Sequence, residues 1–470
     1  MTETEYKMLI DGSLTGSDLT LDVVNPATGN VFATVPRASE ADAERAIAAA
    51  ARAQLDWAAL DVEARAQKLL ALADAIESEQ DLLVRTLVME QGKPRADAEA
   101  EIGFATIFLR HFADQRLPVE VLEESEGYHI ELHHRPLGVV AGIVPWNFPF
   151  LIAAYKLAPA LILGNTFILK PAPTTPLTAM VLARIAQPIL PAGVLSVLVD
   201  DNDLGPLLVA SPDVAKVSFT GSTPTGRKIM QTGAPTLKRL TLELGGNDPG
   251  IVLPDADIEA TAEKVFASSF MLSGQVCIAL KRLYVHSDVY DQMCDALARL
   301  AEAAPVGDGL AQGTRIGPLQ NKAQYEKAKG YLDVALRDGK VIAGGEIIEG
   351  NGYFMKPTIV RDIKDGSPLV DDEQFCPILP VIRFDDIDNV VSKANAGEFG
   401  LGSSVWSRDI ETARDIAARL DSGTVWINHA THFAPHVPFG GAKQSGLGTE
   451  FGKEGLTEFA QRSVVSLAHA

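Results

Sequence analysis

Residues 138–170 read GVVAGIVPWNFPFLIAAYKLAPALILGNTFILK, and this stretch decides the fold. It begins with an apolar, strand-like run at 139–144, continues as a predicted helix over 150–163 and returns to a strand at 166–169. A long apolar tract with one formal charge would also suit a membrane span, but four residues interrupt it: Pro145, Asn147, Pro149 and Pro159. We therefore expect a soluble α/β protein with no membrane partner.

The alternation of strands and helices continues on the C-terminal side. Strands are predicted at 195–199, 214–219 and 239–244. A helix is predicted before each of them: 177–189, a short one near Leu204 and one from Pro224. Repeated units of this kind predict a doubly wound, Rossmann-like parallel sheet. After Gly245 the alternation restarts and predicts a second α/β domain with these elements: strands at 250–253, 283–286 and near Val381 and Val405, and helices at 258–270, 290–303, 321–337 and 410–420.

The N-terminal third is predicted to be helical. Apolar residues recur at three- and four-residue intervals over 39–60, 63–90 and 94–116. Ser39 and Asp42 are suited to cap the first of these helices.

Two further segments have the pattern of strands. Residues 117–122 and 128–135 alternate polar and apolar side chains around an acidic turn, which predicts a protruding hairpin. The β-prone tail at 462–467 is expected to pair with another strand.

Composition and charge limit the function classes. The chain has 470 residues, 47% of them hydrophobic and 22% charged, as in an ordinary globular protein. Its formal charge of −20 argues against nucleic acid as a partner, and an anionic ligand would need a well-placed lysine. Three cysteines without a C-x-x-C pair, and a start without a secretory signal, predict a reducing, cytoplasmic setting. Scattered histidines predict no metal site.

Four short strings contain the residues that could perform chemistry. Asn147 ends a predicted buried strand in I-V-P-W-N-F-P, and Glu243 lies within the apolar string L-E-L-G-G. The string F-T-G-S at 219–222 opens a helix, and by itself it could be a simple turn. Cys277 follows Gly274-Gln-Val in a loop between a helix and a strand. A lone cysteine is more often a core residue, which suits Cys294 in its predicted helix but not Cys277.

Together these strings resemble the aldehyde dehydrogenase superfamily, and the resemblance covers essentially the whole chain. It extends from N-P-A-T-G at 25–29 through E-Q-G-K-P at 90–94 to P-F-G-G at 438–441. The string S-G-Q-V-C-I-A-L-K-R-L-Y-V at 273–285 and K-Q-S-G at 443–446 are similar to the hydrolytic, NAD(P)-dependent branch.

The resemblance implies three structural parts. An NAD(P)-binding domain would comprise residues 1–116 and 137–244, and a catalytic domain residues 245–440. A small β oligomerisation element would comprise residues 117–136 and 441–470, in a homodimer or homotetramer whose subunits pair at strand edges.

The resemblance also implies a catalytic role for each matched residue. Cys277 would attack the aldehyde to form a thiohemiacetal and then a thioester, and Glu243 would activate the water that hydrolyses it. The Asn147 amide, with the Cys277 backbone N–H, would stabilise the oxyanion. Lys156 and Glu450 match positions that pass the proton outward.

The cofactor residues follow from the same comparison. Lys170 would reach the adenosine ribose, and the other matched positions are Trp146, Gly221 and Ser222 beside the pyrophosphate and Glu373 and Phe375 at the nicotinamide ribose. Pro173 stands where many NAD-preferring members have a glutamate that repels a 2′-phosphate, so either NAD or NADP is expected. Cys376 stands where the family usually has glycine; it is interpreted as a packing substitution, with oxidative pairing to Cys277 as the alternative.

Seven positions match the family's substrate tunnel, and all but the tyrosine lack a polar group: Phe148, Ile152, Tyr155, Met271, Ile278, Phe433 and Phe439. This lining predicts an uncharged aromatic or medium-chain aldehyde. His432 and His436 flank Phe433 in the loop before Pro438, and they are either solvated loop histidines or hydrogen-bonding partners of a substrate oxygen.

Two other functions remain open at this point. A CoA-acylating aldehyde dehydrogenase would pass the thioester to a thiol, but it would not need Glu243 as a base. A non-catalytic structural member of the family would not need Cys277, Glu243 and Asn147 to be intact.

Overall fold

The computed structural model describes residues 6–469 and assigns the strands of this range to two large sheets and three small ones. The strands are β1 (Met8–Ile10), β2 (Ser13–Thr15), β3 (Thr20–Asn25), β4 (Asn30–Pro36), β5 (Glu120–Glu124), β6 (Tyr128–Pro136), β7 (Val139–Ile143), β8 (Thr166–Lys170), β9 (Leu195–Val197), β10 (Val214–Thr220), β11 (Arg239–Glu243), β12 (Asp248–Val252), β13 (Leu280–His286), β14 (Lys340–Ala343), β15 (Thr358–Arg361), β16 (Ile378–Phe384), β17 (Phe399–Gly400), β18 (Gly402–Trp406), β19 (Thr424–Ile427), β20 (Ala442–Lys443), β21 (Gly446–Leu447) and β22 (Ala460–Ala468).

The α-helices of the same range are α1 (Glu40–Ala59), α2 (Val62–Ser78), α3 (Gln80–Gln91), α4 (Arg95–Ala113), α5 (Pro149–Ile162), α6 (Leu177–Ala186), α7 (Gly205–Ala210), α8 (Thr223–Gly233), α9 (Ile258–Phe270), α10 (Tyr290–Ala303), α11 (Lys322–Asp338), α12 (Pro368–Asp371), α13 (Ile387–Asn395), α14 (Ile410–Ala417) and α15 (Gly452–Thr457). Among residues 6–469, no helix is both long and apolar enough to cross a membrane.

The first large sheet has the strand order β2-β1-β9-β8-β7-β10-β11-β21. Its five inner strands, β9, β8, β7, β10 and β11, are parallel, and antiparallel strands close both edges. The predicted doubly wound α/β fold is thereby confirmed. In the register, Ile143 lies opposite both Lys170 and Phe219, so the carboxyl ends of three strands meet at one edge.

The second large sheet has the order β14-β15-β16-β13-β12-β18-β19, and all its pairs except β14 with β15 are parallel. It follows the first sheet along the chain: β11 ends at Glu243 and β12 begins at Asp248. This change of sheet lies close to the expected domain boundary at residue 245, although the domain division itself stays a prediction.

The hairpin β5–β6 and the tail β22 form a three-stranded antiparallel sheet within one chain. The predicted pairing of the tail is confirmed, and its partner is the hairpin, with Ala460 opposite Pro136 and Ala468 opposite Tyr128.

The N-terminal region differs from its predicted helical character in two respects. Four strands precede α1, and the fully buried β1 extends the first large sheet. The predicted helix at 63–90 is two helices that meet at Glu79, whose φ of −108° and ψ of 15° end the first. No proline or glycine marks this break, so the sequence pattern gave no sign of it. The predicted cap is confirmed, because Ser39 and Asp42 form a reciprocal capping box.

Asn165 joins three segments of the first large sheet and its surroundings. Its buried side chain accepts hydrogen bonds from the N–H groups of Leu137 at 2.7 Å and Gly138 at 3.0 Å. Its amide nitrogen donates to the carbonyl oxygens of Ala160 at 3.1 Å and Phe459 at 2.9 Å. One side chain therefore fixes the start of β7, the end of α5 and the approach to β22.

We predict that Asn165→Ala lowers the free energy of unfolding by about 2–4 kcal/mol, because it leaves several buried backbone groups without partners. Urea denaturation measures the loss. Asn395 is the matched control, since its side chain also bonds two backbone groups, those of Arg419 and Asp421, but at the surface. An equal loss in Asn165→Ala and Asn395→Ala would show that burial is not the cause.

Candidate active site

Cys277 lies in a loop between α9 and β13 whose backbone is unusual. The loop begins with a 3₁₀ turn in which Leu272, Ser273 and Gly274 have φ values of 49°, 58° and 74°. Left-handed conformations are costly for residues other than glycine, about 1–3 kcal/mol each. Contacts with neighbouring segments must therefore hold the loop in place.

Buried polar side chains provide these contacts. Ser273 Oγ donates to the carbonyl oxygen of Gly317 at 2.7 Å. Gln275 Nε2 donates to the carbonyl oxygen of Leu272 at 2.8 Å, and its Oε1 accepts the backbone N–H of Gln320 at 2.9 Å. The loop that carries Cys277 is thus tied both to itself and to the segment at 317–320.

The thiol of Cys277 is half-buried and surrounded by charged groups. Burial raises the pKa of the Cys277 thiol to about 12, and the ammonium of Lys281 opposes that rise. Three carboxylates raise this pKa further: those of Asp248, Glu373 and Glu243. These surroundings favour the neutral thiol of Cys277 over the thiolate.

Asn147 connects the strand end of β7 to the nucleophile loop. Its Nδ2 donates to the carbonyl oxygen of Gln275 at 3.0 Å, and its Oδ1 accepts the N–H of Phe148 at 3.1 Å. Its own carbonyl oxygen accepts a hydrogen bond from the buried Lys93 Nζ at 2.8 Å. A side-chain amide has two N–H donors, so the second remains available beside the loop.

Glu243 is the last residue of β11 and is buried, with 4% of its surface exposed. Neither side-chain oxygen has a hydrogen-bond partner among the described residues. Burial raises the pKa of this carboxyl well above its usual value; the carboxylate of Glu450 adds to the rise, and Lys156 opposes it. A buried, unpaired carboxyl group with a raised pKa has the properties of a general base.

Lys156 and Glu450 form a buried ion pair, with Nζ 2.5 Å from Oε1. Ser218 joins them: its Oγ accepts from Lys156 Nζ at 2.9 Å and donates to Glu450 Oε1 at 3.3 Å. The two predicted proton-relay residues are therefore in contact, and Ser218 is an addition that its small side chain did not reveal in the sequence.

All seven predicted tunnel residues line one cavity of about 310 Å³, together with Cys277. The cavity also has a lining that sequence analysis missed, from α4 and the C-terminal region: Asp97, Glu101, Phe104 and Phe451. Asp97, Glu101 and Phe104 are spaced by four and three residues within the predicted helix 94–116, which places them on one face of that helix. The sequence could therefore show that they share a face, but not that this face is directed toward the cavity.

The two acidic residues of this lining differ in their surroundings. Glu101 is buried and forms an ion pair with Lys93, and its Oε1 accepts the N–H groups of Phe150 and Leu151 at the start of α5. Asp97 is only partly buried. Burial raises the pKa of Asp97, Lys93 opposes the rise and Glu101 adds to it.

A second, larger cleft of about 680 Å³ lies at the carboxyl edge of the first sheet, where Ile143, Lys170 and Thr220 line it. Five of the predicted cofactor residues line this cleft: Trp146, Lys170, Pro173, Gly221 and Ser222. Ser222 also precedes α8, and its side chain does not cap the helix, since it bonds Thr225 Oγ1 at 3.0 Å. The N–H groups that begin α8 can therefore bind an anion.

Lys170 is held by a partner that the sequence did not indicate. Its Nζ lies 2.6 Å from Oδ1 of the fully buried Asp200. Asp200 directly follows the predicted strand at 195–199, where α/β sheets bind their ligands. This position in the sequence could have identified Asp200 as a residue of the site.

Neither Glu373 nor Phe375 lines the cleft, but Phe375 contacts one of the residues that do. Glu373 Oε1 accepts the N–H of Gly246 at 3.0 Å, and the ring of Phe375 meets Trp146 edge to face at 5.5 Å. Since Trp146 lines the cleft and Phe148 lines the cavity, Asn147 lies between the two spaces.

The structure also shows where two histidines and the three cysteines lie. His432 and His436 are exposed, and only His432 lines the cavity. Cys376 is buried in the core of the second sheet, and Cys277, Cys294 and Cys376 are all free thiols. These positions agree with the interpretation of Cys376 as a packing substitution.

The chain is similar to known proteins over nearly its whole length. A family model described as "Aldehyde dehydrogenase family" matches residues 14–465. An aldehyde dehydrogenase from Fusarium is 41% identical and covers 99% of this chain and 100% of its own length. The phenylacetaldehyde dehydrogenase of Pseudomonas fluorescens is 40% identical over 99% of this chain and 96% of its own. The glutarate-semialdehyde dehydrogenase of Pseudomonas putida is 38% identical over 94% of this chain and 93% of its own length.

Solved structures give the same result. The NAD+ complex of an aldehyde dehydrogenase from Bacillus cereus superposes with a TM-score of 0.96 at 35% identity, covering 99% of this chain and 97% of that one. An NADP-dependent enzyme of E. coli has a TM-score of 0.96 at 36% identity, covering 99% and 98%. Similar structures thus include both an NAD+ complex and an NADP-dependent enzyme.

Proposed function

Because this chain belongs to the aldehyde dehydrogenase family, an oxidoreductase family that uses NAD(P)+, we propose that it oxidises an uncharged aromatic or medium-chain aldehyde to the carboxylic acid through Cys277. One observation carries the proposal: Cys277 lines the same cavity as the apolar tunnel residues, while Asn147 bonds the loop that holds it. Glu243, buried and without a hydrogen-bond partner among residues 6–469, supports hydrolysis as the way in which the product is released.

The first half of the proposed reaction forms a thioester. Cys277 first loses its thiol proton to solvent. The thiolate then attacks the aldehyde carbon, the S–C bond forms, and the carbonyl electrons move to oxygen, where the Asn147 amide and the Cys277 N–H stabilise the charge. NAD or NADP, when bound, supplies the acceptor for the hydride that leaves this carbon as its C=O bond re-forms. Cys277 is left acylated.

The second half releases the acid. Glu243 takes a proton from water, the resulting hydroxide attacks the thioester carbon, and the S–C bond breaks to restore the thiolate. The proton then leaves Glu243 through Glu450 and Lys156. The contact of Lys156, Ser218 and Glu450 supports a proton relay among these residues.

We predict that Cys277→Ala abolishes NAD(P)-dependent oxidation, whereas Glu243→Gln gives a first-turnover burst of reduced cofactor and then stalls. The reason is that hydride transfer precedes the step that needs the base. Stopped-flow absorbance of the reduced nicotinamide measures both phases. Glu326→Gln, on the exposed face of α11, is the control and is expected to turn over normally.

Several outcomes would contradict this mechanism. Full steady-state activity of Glu243→Gln without a burst would remove the base from the mechanism. Turnover that requires CoA would favour the CoA-acylating alternative. A wild-type protein that reduces neither cofactor with a broad panel of aldehydes would favour the non-catalytic alternative.

The preference for an uncharged aldehyde is supported by the lining of the cavity. Its walls are mostly apolar and aromatic, and the single acidic group without a direct ion-pair partner among the described lining residues is Asp97. A carboxylate there repels an aldehyde that carries its own carboxylate, such as the substrate for which the Pseudomonas putida relative is named. An aromatic aldehyde such as phenylacetaldehyde has no such conflict.

We predict that Asp97→Asn raises kcat/KM for glutarate semialdehyde about tenfold, because it removes the repulsion, worth about 1.4 kcal/mol. The value for phenylacetaldehyde should stay within about twofold. Steady-state kinetics with the two aldehydes measures the ratio. Glu99→Gln is the matched control, since Glu99 lies on the same helix, is exposed and pairs with Arg95. Equal changes for both aldehydes would exclude Asp97 as the selective residue.

The cleft fits a dinucleotide cofactor of either kind. Among the described residues that line it, two are lysines, Lys170 and Lys228, and none is acidic. The uncapped start of α8 beside Ser222 suits a pyrophosphate. Because Pro173 provides no carboxylate beside the ribose position, we propose that the chain accepts NADP as well as NAD.

We predict that Pro173→Glu raises KM for NADP at least about tenfold and leaves KM for NAD within about threefold, since the added carboxylate repels a 2′-phosphate. Parallel titrations of the two cofactors measure this difference. Pro173→Ala, which removes the ring without adding charge, should change neither value. If the wild-type protein uses NAD alone, the proposal for the cofactor is wrong.

Self-association through the three-stranded sheet completes the proposal. Apolar side chains on this sheet are more than half exposed: Val121, Leu122, Val464 and Leu467. Such a surface is typical of a protein interface. We therefore propose a homodimer or homotetramer that buries it.

A further inference from the structure

Lys281 is a buried lysine directly behind the nucleophile loop, and the reaction proposed above gives it no role. It lies in β13, between Leu280 and Arg282, and only 3% of its surface is exposed. A lysine is almost never fully buried unless a partner satisfies its charge. Its surroundings therefore need an explanation.

The ammonium of Lys281 bonds only backbone carbonyls among the contacts of the described chain. Its Nζ donates to the carbonyl oxygens of Val276 at 2.7 Å, Cys277 at 2.6 Å and Ala279 at 3.3 Å. It also lies 5.8 Å from the ring centroid of Phe375. All three donors of the ammonium are thus directed at the loop that carries Cys277.

Other buried lysines near the site differ from Lys281 in one respect. Each of them has a carboxylate in direct contact: Lys93 with Glu101, Lys156 with Glu450 and Lys170 with Asp200. Within residues 6–469, no such ion pair forms at Lys281, so its positive charge is not neutralised by contact.

The bond to Val276 also determines where the Cys277 N–H points. In a trans peptide the C=O of one residue and the N–H of the next lie in the same plane and point in opposite directions. Since the Val276 carbonyl faces Lys281, the Cys277 N–H faces away from it. The ammonium therefore fixes the orientation of a donor that the proposed reaction uses for the oxyanion.

Asp248 has the opposite charge and lies on the other side of Gly246. A Cβ atom built on Gly246 would lie 2.7 Å from the Cys277 carbonyl oxygen and 2.9 Å from Asp248 Oδ1. Asp248 is buried; Oδ1 accepts the Gly402 N–H at 3.1 Å, and Oδ2 has no hydrogen-bond partner in the described chain. Burial raises the pKa of Asp248 to about 7, and Lys281 opposes that rise.

We propose that Lys281 is a positioning residue for the nucleophile: it clamps the carbonyl groups of the Cys277 loop, and its positive charge favours the thiolate, while Asp248 acts against it. The inference rests on the proposed function, in which Cys277 is the nucleophile. The charged and titratable groups that act on the thiol support it. Of these, Lys281 favours the thiolate, whereas Asp248, Glu373 and Glu243 disfavour it; Tyr155 is a further titratable neighbour.

The test is the rate of alkylation of Cys277 by the neutral reagent iodoacetamide as a function of pH, followed by mass spectrometry. Cys294 and Cys376 are buried and serve as internal references. In Lys281→Met the profile should be displaced by about one unit to higher pH, which is tenfold slower alkylation below the midpoint. Faster alkylation in Lys281→Met would mean that the loosened loop exposes the thiol more than the lost charge disfavours the thiolate, and it would overturn the charge effect.

The matched control is Lys238→Met. Lys238 also donates to two backbone carbonyls, those of Ser211 and Val214, but in a part of the chain remote from the thiol. Its profile should coincide with that of the wild type. In addition, kcat at neutral pH should fall about tenfold in Lys281→Met and recover at higher pH, with KM for the aldehyde within about twofold.

Asp248→Asn should displace the alkylation profile in the opposite direction. Removing this negative charge should displace the alkylation profile to lower pH, because only an electrostatic role predicts opposite shifts for the two variants. If Lys281→Met does not fold, as judged by circular dichroism, the inference is tested by Asp248→Asn alone. An alkylation profile displaced to lower pH supports the inference, and an unchanged profile overturns it.

The outcomes separate this inference from the proposed function. If complete alkylation of Cys277 leaves the enzyme active, Cys277 is not the nucleophile and the proposed function fails. If alkylation abolishes activity but folded Lys281→Met has the wild-type profile, the proposed function stands and only the inference about Lys281 is overturned.

Discussion

Three consecutive residues with left-handed backbone, Leu272, Ser273 and Gly274, hold Cys277 where it is, and the rest of the site depends on them. Two of them carry side chains, so this conformation costs free energy that contacts elsewhere must offset. The offsetting bonds come from both halves of the molecule. Asn147 reaches the loop from the end of a strand in the first sheet, while the loop's own Gln275 bonds the segment at 320. The position of one thiol thus requires that both sheets fold and pack.

Buried charge is the second constraint on this site. Taking an ammonium or a carboxylate out of water is costly unless a partner is close, and ion pairs between distant segments meet that cost for Lys93, Lys156 and Lys170. Lys156 and its partner Glu450 are nearly 300 residues apart in sequence, so this pair also ties the C-terminal region to α5. Glu243 is left without such a partner among the described residues. Burial without a partner raises the pKa of this carboxyl well above its usual value.

Much of this arrangement could be predicted from the sequence, and the exceptions have physical reasons. The apolar run at 138–170, with its interrupting prolines, predicts a buried strand, helix and strand, and the structure has these elements within one residue of the expected bounds. The break at Glu79 has no helix-breaking residue, so local propensity could not reveal it. Asp97 and Lys281 were missed for a different reason. Their importance depends on which way a helix or strand faces, and that is decided by packing between segments far apart in sequence.

The charges that line the two spaces favour different ligands of the proposed reaction. A net charge of −20 repels anions from the molecule as a whole, yet the described lining of the larger cleft has lysines and no acidic residue. The smaller cavity has the reverse character, because Asp97 lies on its wall. An anionic dinucleotide is therefore favoured in the cleft, and an uncharged aldehyde in the cavity. Asn147 lies between Trp146, which lines the cleft, and Phe148, which lines the cavity, so the chain passes from one space to the other at this residue.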